Sequence, residues 1–254
     1  MIPVSVIMIA KDEEKNLPQT LSALRDFAEI VLVDGESRDR TREIAEQFKA
    51  RVFVRPFDHF SNQKNFALGK ATQPWVFSLD ADELPDEKLI ESIRRIVEDP
   101  SRKAVAYRTC RKNAQFGREL KMGAQGKDFP LRFFKKAKGR FVHPVHEMVQ
   151  AEGPVGTLEG SLLHQSSQSV SDYLGKLAHY TGLEAAALKA SGKKITFWDW
   201  ALKPWAQFFY RYFLCLGFLD GFEGFLFHAL SSFYLVIKYA RALEETSRPA
   251  PLRK

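Results

Sequence analysis

An α/β fold with a mainly parallel sheet flanked by helices is what three features of the chain predict. Continuous apolar, β-branched runs alternate with segments of helical periodicity through about the first hundred residues. Each of the clearest runs empties into a polar cluster: Lys11 to Glu13, Asp34, and Asp80 to Asp82. The last third then changes to an aromatic-rich helical region. Strands alternating with helices in this way imply βαβ units with right-handed crossovers, and such sheets bind ligands beyond the carboxyl ends of their strands. The three clusters are therefore expected on one rim.

The elements follow in order. Val4 to Ala10 reads as a strand covered on both faces. Leu17, Leu21 and Leu24 recur at helical spacing, and Ile30 to Val33 forms a second buried strand that stops at Asp34-Gly35. Ile44, Ala45 and Phe48 mark a second helix, with Ser37 and Asp39 as candidate caps, before a short strand from Arg51 to Arg55. A helix over Asn62 to Ala71 and a strand over Trp75 to Leu79 repeat the pattern. Between Lys127 and Lys138, Arg132 and its basic neighbours alternate with Phe129, Phe133 and Phe134, as in a half-buried strand; the same alternation can serve nucleic-acid stacking, but no nucleic-acid partner is expected. Gly160 to Leu163 reads as a strand that delivers His164 to a loop, and Ser169 to Ser191 as a helix.

Composition narrows the function. The 254 residues carry 38 Lys and Arg against 31 Asp and Glu, a net charge of +7 with pI near 9.3, which favours an anionic partner such as a phosphate-rich substrate, nucleic acid or anionic lipid without choosing among them. Cys110 and Cys215 stand far apart without metal spacing, so neither a disulfide framework nor a zinc site is expected, and a reducing compartment fits. The apolar opening runs straight into Lys11-Asp12-Glu13-Glu14 and reads as a first strand rather than a secretion signal.

Asp80-Ala81-Asp82-Glu83 carries the most chemistry. Two carboxylates one residue apart at a strand end suit a hard divalent cation that bridges protein oxygens to substrate phosphates. The competing reading is that Asp82 caps a following helix. No Gly-x-Gly-x-x-Gly follows the first strand and no Gly-x-x-x-x-Gly-Lys-Ser/Thr occurs, which disfavours dinucleotide-binding and P-loop folds and argues against nucleotidyl transfer.

Taken in order, Ile9-Ala10-Lys11-Asp12-Glu13-Glu14, Val31 to Thr41, Gln63-Lys64-Asn65 and Leu79 to Glu83 resemble the motifs of glycosyltransferase family 2, the inverting GT-A enzymes. Val145-His146-Glu147, Leu163-His164, Tyr173 to Lys176 and Gly217 to Gly221 resemble, more loosely, the branch of β-glucosyltransferases that modifies the inner-core heptose of bacterial lipopolysaccharide. Two departures are Lys11-Asp12-Glu13, where Asn more often precedes Glu, and Asp34-Gly35-Glu36, where paired acids are common.

The resemblance implies a GT-A catalytic domain over residues 1–168, with a nucleotide-sugar half to about residue 100 and an acceptor half after it, then a helical region over 169–254. It implies a hexose, best read as glucose, transferred from a UDP-sugar to a lipid-linked glycan. It also implies Asp82 and His164 as ligands of Mn²⁺ or Mg²⁺, the imidazole biasing the site towards Mn²⁺. Ala10, Lys11, Glu13, Asp34, Lys64, Asn65, Asp80 and Ala81 would line the donor pocket, with Asp34 reading the uracil and Asp80 contacting ribose or the metal-diphosphate unit. Lys64 has an alternative as a surface helix residue.

Inverting transfer needs a base for the acceptor hydroxyl. Glu147 is the candidate by its place in the family motif, with His146 as a neighbour that orients the acceptor or tunes the carboxylate, and as the alternative base. A solvated edge strand over Val145 to Val149 is the bland alternative, and Arg132 is read as facing an anionic acceptor. Two other functions stay open: transfer to polyprenyl phosphate or another surface glycan, and a non-catalytic sugar-nucleotide-binding membrane scaffold.

In the last third, Phe197, Trp198, Trp200, Trp205, Phe208 and Phe209 crowd one stretch with Lys193, Lys194, Lys203 and Arg211. This reads as an interfacial amphipathic surface, and a peripheral, monotopic location on the cytoplasmic face of the inner membrane is expected. Arg211, Asp220, Glu223 and His228 break the apolar runs before they reach the ~20 residues that a bilayer crossing needs.

Overall fold

β1 (Ile2–Ala10) is buried along almost its whole length and pairs in parallel on both sides, with β2 (Phe27–Asp34) and with β4 (Trp75–Ser78). A strand covered on both faces and both edges accepts only apolar or hydrogen-bonded residues, which is why its sequence shows no alternation. A computed structural model describes residues 1–124, 128–143 and 147–247. It separates into two units, Met1–Lys112 with Lys127–His164, and Asn113–Gly126 with Gln165–Lys254.

In the first unit the sheet continues beyond β1 on both sides. β3 (Arg51–Val54) adds in parallel to β2. On the far side of β4 lie β8 (Leu131–Lys135), antiparallel to β4, and β6 (Ala106–Gln115), antiparallel to β8; then come β11 (Val155–Ser167), which runs parallel to β6, and β5 (Glu83–Pro85), antiparallel to β11, so the strand order is β3-β2-β1-β4-β8-β6-β11-β5. The expectation of a mainly parallel sheet flanked by helices is met by the first half; the whole is mixed. A separate ribbon pairs β9 (Gly139–Val142) with β10 (Met148–Ala151).

Helices cover both faces. α1 (Leu17–Ala23) and α4 (Glu87–Glu98) set Leu17, Leu21, Leu89, Ile93 and Ile96 into one apolar layer with Phe77 and Phe133. α3 (Phe60–Lys70) closes the other with Ala67 and Leu68 against Val31, Val76 and Phe134. α2 (Thr41–Gln47) adds Ile44 and Ala45 to the first layer. α4 shows the local logic: Leu89, Ile93 and Ile96 fall on one face, and the Asp86 carboxylate accepts the Leu89 N–H at 2.8 Å. The cap of the helix after the acidic run is thus Asp86, which disposes of the reading of Asp82 as that cap.

Two expectations change. β8 is buried through its centre, with Arg132, Phe133 and Phe134 buried in succession between half-buried Leu131 and Lys135, because it lies in the middle of the sheet. Ser37 and Asp39 do not cap α2 in the expected way. Asp39 accepts the Thr41 N–H at 3.0 Å, while Ser37 Oγ accepts the Asp12 N–H at 2.9 Å from the loop after β1.

In the second unit, β7 (Arg118–Glu119) pairs with the end of β6 at Gln115 and Ala114. α5 (Val170–Ala190) begins at Ser169, whose hydroxyl accepts the Asp172 N–H at 3.1 Å. α6 (Lys203–Phe209) is flanked by π-turns over Trp198–Leu202 and Tyr210–Leu214, and α7 (Gly221–Ser247) follows after a sharp bend at Leu216, which takes φ +60°. Asp220 anchors the connecting segment by accepting the Lys121 and Met122 N–H groups at 3.1 and 2.9 Å.

Candidate functional site

The parallel register fixes the rim. Ala10 pairs with Asp34, Gly35 donates its N–H to the Ala10 carbonyl at 2.8 Å, and Ile7 pairs with Ser78, so β1, β2 and β4 end side by side. The loops they release are stitched to one another. The Glu13 N–H meets Thr41 Oγ1 at 2.8 Å, the Glu14 N–H meets Asp39 at 3.0 Å, and Asp12 returns the contact by accepting the Arg38 N–H at 2.7 Å. Asp12 adopts φ +55°, one of the few residue types that tolerates the left-handed region.

Asp34 is fully buried at this rim. Its Oδ2 accepts the Ser37 N–H at 3.0 Å with Arg42 at 3.8 Å, but its Oδ1 meets no donor among the described residues. A buried carboxylate oxygen without a partner costs on the order of 1–3 kcal/mol, so it points to a donor that arrives with a ligand. Lys11 is exposed, and Glu13 accepts the Asn16 side-chain N–H at 2.7 Å.

The acidic turn after β4 is built by residues to which the sequence assigned no such role. Glu83 is fully buried; its Oε2 accepts the Asp80 N–H at 3.1 Å, and its Oε1 meets Arg132 at 2.5 Å and Arg111 at 3.3 Å. Asp80 in turn receives Arg132 at 2.6 Å and Lys64 at 2.8 Å. Burial pushes the Asp80 carboxyl up, yet the neighbouring Arg132 and Lys64 charges outweigh it and hold the group well below the usual carboxylate range. Burial likewise opposes the charge of Arg132, and Asp80 with Glu83 more than restores it. Arg132 thus faces the acidic turn in place of an open acceptor surface, because a buried guanidinium needs carboxylate partners. The sequence offers only the third acid of the run, Glu83, whose burial, seen in the structure, calls for a cation without saying which one.

Ala81 is buried, and its carbonyl accepts the Thr20 hydroxyl at 2.8 Å. Lys64, expected as either a phosphate contact or a surface residue, is 3% exposed and bridges two carboxylates, reaching Glu147 at 2.6 Å as well as Asp80. The surface alternative is therefore excluded. Asn65 turns from the expected donor contact to a structural clamp, exchanging two 2.9 Å hydrogen bonds with the backbone of Phe141 on β9, the strand that leads towards Glu147. His146 lies outside the described residues.

Asp82 and His164 meet directly, Oδ2 to Nε2 at 3.3 Å. Burial pushes the imidazole down, but the Asp82 hydrogen bond and charge raise it overall. Two donors that each bind an ion at about 2.1 Å stand roughly 3 Å apart when they occupy adjacent positions, so this pair fits one divalent cation. Among the described residues no group of three or more His, Cys, Asp or Glu gathers to form a cage. Asp80 and Glu83 are already neutralised by cations, which leaves Asp82 and His164 as the side chains of this turn that could hold such an ion, and a few protein ligands completed by phosphate oxygens or water is a usual mode for Mg²⁺-like ions.

Comparison with known proteins agrees with this architecture. The family model described as Glycosyl transferase family 2 matches residues 5–150. The lipopolysaccharide core biosynthesis glycosyltransferase LpsC of Rhizobium meliloti is 29% identical over 248 residues, covering 94% of this chain and 92% of that protein. An uncharacterized glycosyltransferase of Rickettsia typhi, RT0209, is 25% identical over 264 residues, covering 96% and 88%. Among solved structures, the mannosyltransferase PcManGT of Pyrobaculum calidifontis, in complex with GDP-Man and Mn²⁺, shares the fold with a TM-score of 0.51 at 16% identity, over 96% of this chain and 88% of that one.

Proposed function

The chain belongs to glycosyl transferase family 2 and is a glycosyltransferase, and from that premise we propose that it is a metal-dependent inverting hexosyltransferase that moves a sugar, glucose in the first instance, from a UDP-sugar to the inner-core heptose of a lipid-linked glycan. The similarity to a lipopolysaccharide core enzyme supports the acceptor class. The observation that carries the reaction is the convergence, within one unit, of Asp82 with His164 and of Lys64 with Asp80 and Glu147.

In this reading Asp34 Oδ1 receives an N–H of the nucleobase, which satisfies its orphaned lone pairs. Asp82 and His164 would hold the divalent ion, which supplies Lewis-acid stabilisation of the departing diphosphate. Arg132 and Glu83 keep Asp80 ionised and fixed, so the rim presents one orientation to the donor. Lys64 places Glu147 at the acceptor side by fixing Oε1, and Glu147 takes the proton of the attacking hydroxyl as that oxygen reaches the anomeric carbon opposite the leaving group.

The test offers purified protein UDP-glucose, other UDP-sugars and GDP-mannose with Mn²⁺ or Mg²⁺, and follows nucleoside diphosphate release with and without a heptose-containing lipid acceptor. The expected result is acceptor-dependent release of UDP that requires the metal and is lost in Glu147→Gln. Full activity of Glu147→Gln would overturn the base assignment, and turnover of GDP-mannose alone would overturn the UDP reading.

A further inference from the structure

The second unit carries an apolar surface that the transfer reaction does not use. Trp205 is 71% exposed, Phe222 70%, Leu214 65% and Phe197 62%, and many further large apolar side chains between Phe197 and Phe233 are exposed. Monomers rarely show contiguous apolar patches beyond a few hundred Å². Pro204, Trp205 and Phe208 face Phe225, Ala229 and Phe233 across a cavity of about 440 Å³ between α6 and α7. Ser232 is the one polar residue among those that line it.

Three observations decide what covers this surface. Residues 193–219 hold four cations, Lys193, Lys194, Lys203 and Arg211, against the single acid Asp199, which is already bonded to Thr196. The acids that follow, Asp220 and Glu223, are taken up by the Lys121 and Met122 N–H groups and by Arg118, so the excess of cations in this segment suits an anionic surface. Among the described residues no single helix is long and apolar enough to cross a bilayer, but the pair Trp198–Leu214 and Gly217–Glu244 passes that test jointly, bent by 75°. A bend of this size suits a shallow wedge better than a crossing. The exposed aromatics include Trp198, Trp200, Trp205 and Tyr210, the side chains that settle where apolar and wet layers meet.

We propose that the α6–α7 face is a monotopic docking surface for an anionic phospholipid bilayer, with one acyl chain seated in the groove beside Trp205. The aromatics enter the headgroup boundary while the lysines meet lipid phosphates. This inference stands apart from the sugar-transfer reading, since none of these residues belongs to that site.

The experiment floats the full chain with vesicles of phosphatidylcholine alone or of equal parts phosphatidylcholine and phosphatidylglycerol. The wild type is expected to float with the anionic vesicles and to be released by salt, since screening weakens the cationic contribution. Trp205→Glu with Phe222→Ser, two largely exposed positions, is expected to lower the partition coefficient at least about tenfold. Its circular dichroism and Mn²⁺-dependent donor hydrolysis should stay those of the wild type. Vesicles with brominated acyl chains should quench tryptophan fluorescence less in Trp205→Phe than in the wild type. Failure of the wild type to float, equal flotation of the double variant, or a dimer in lipid-free buffer that the double variant dissociates would each overturn the proposal. The last result would assign the face to a second copy. Unchanged quenching in Trp205→Phe would remove the acyl chain from the groove.

Discussion

Lys64 Nζ lies 2.6 Å from Glu147 Oε1, a pairing that joins the middle of α3 to the candidate base 83 positions later in the chain. The same ammonium lies 2.8 Å from Asp80 and 5.9 Å from the centre of the Phe141 ring. One buried cation therefore serves the carboxylate that follows β4 and the one proposed as the base on the acceptor side.

Loss of that cation should cost stability and couple the two sides. Lys64→Met is expected to destabilise the protein by about 2 kcal/mol, below the 3–5 of a fully buried pair because both carboxylates keep some solvent contact. Urea unfolding of Lys64→Met, Glu147→Gln and the double variant should give a coupling of roughly 0.5–3 kcal/mol. Simple additivity would show that the contact carries no energy.

Asp82→Asn and His164→Ala should each raise the Mn²⁺ concentration needed for half-maximal activity by about 10–100-fold, with the larger loss of maximal rate in Asp82→Asn. A metal titration of activity, with calorimetric binding of Mn²⁺ in the presence of UDP, checks this. An unchanged titration in both variants would remove the pair from the metal.

Asp34→Asn keeps one acceptor and swaps the orphaned oxygen or its partner for a donor. Binding of UDP should weaken by roughly 10–100-fold, while circular dichroism stays native. Fluorescence or calorimetric titration with UDP measures it, and wild-type affinity would show that Oδ1 is not the base contact.

His228 yields a pH prediction. It is buried with both ring nitrogens unpartnered among the described residues, and burial first, then Arg211, pushes its pKa down against the opposing pull of Asp220. The unfolded chain binds a proton at about pH 6.5, where the folded chain does not yet do so. Stability therefore falls as pH drops below about 6.5, until the folded imidazole also protonates. Thermal melts from pH 8 to 5 should show this slope flattened in His228→Leu; an equal slope would place its origin elsewhere.

The legible parts of the molecule were those governed by local pattern. Val4 to Ala10, Ile30 to Val33 and Trp75 to Leu79 announced buried strands because their burial forbids polar residues, and the polar residues that follow them announced the rim. Ser169 announced α5 because capping is decided within one turn. Pairings across long stretches of chain were hidden. Nothing near Arg132 indicates that its partners are Asp80 and Glu83, and nothing near Asn65 indicates the backbone of Phe141. The part of the sheet beyond β4 escaped for the same reason, since β8 reads as alternating when seen alone and becomes central only through its neighbours β4 and β6.

The seat of Arg132 on β8 has a bearing on how the chain finds its register. Phe133 stacks on Trp75 with ring centres 4.7 Å apart on one face, while Phe134 points to the other. A slip of one residue against β4 would drive the guanidinium into that aromatic layer and take from Asp80 and Glu83 the cation they share. The ion cluster beneath the donor rim thus also acts as a proofreader of strand alignment, admitting to the assembled sheet only the pairing from which a working rim can be made.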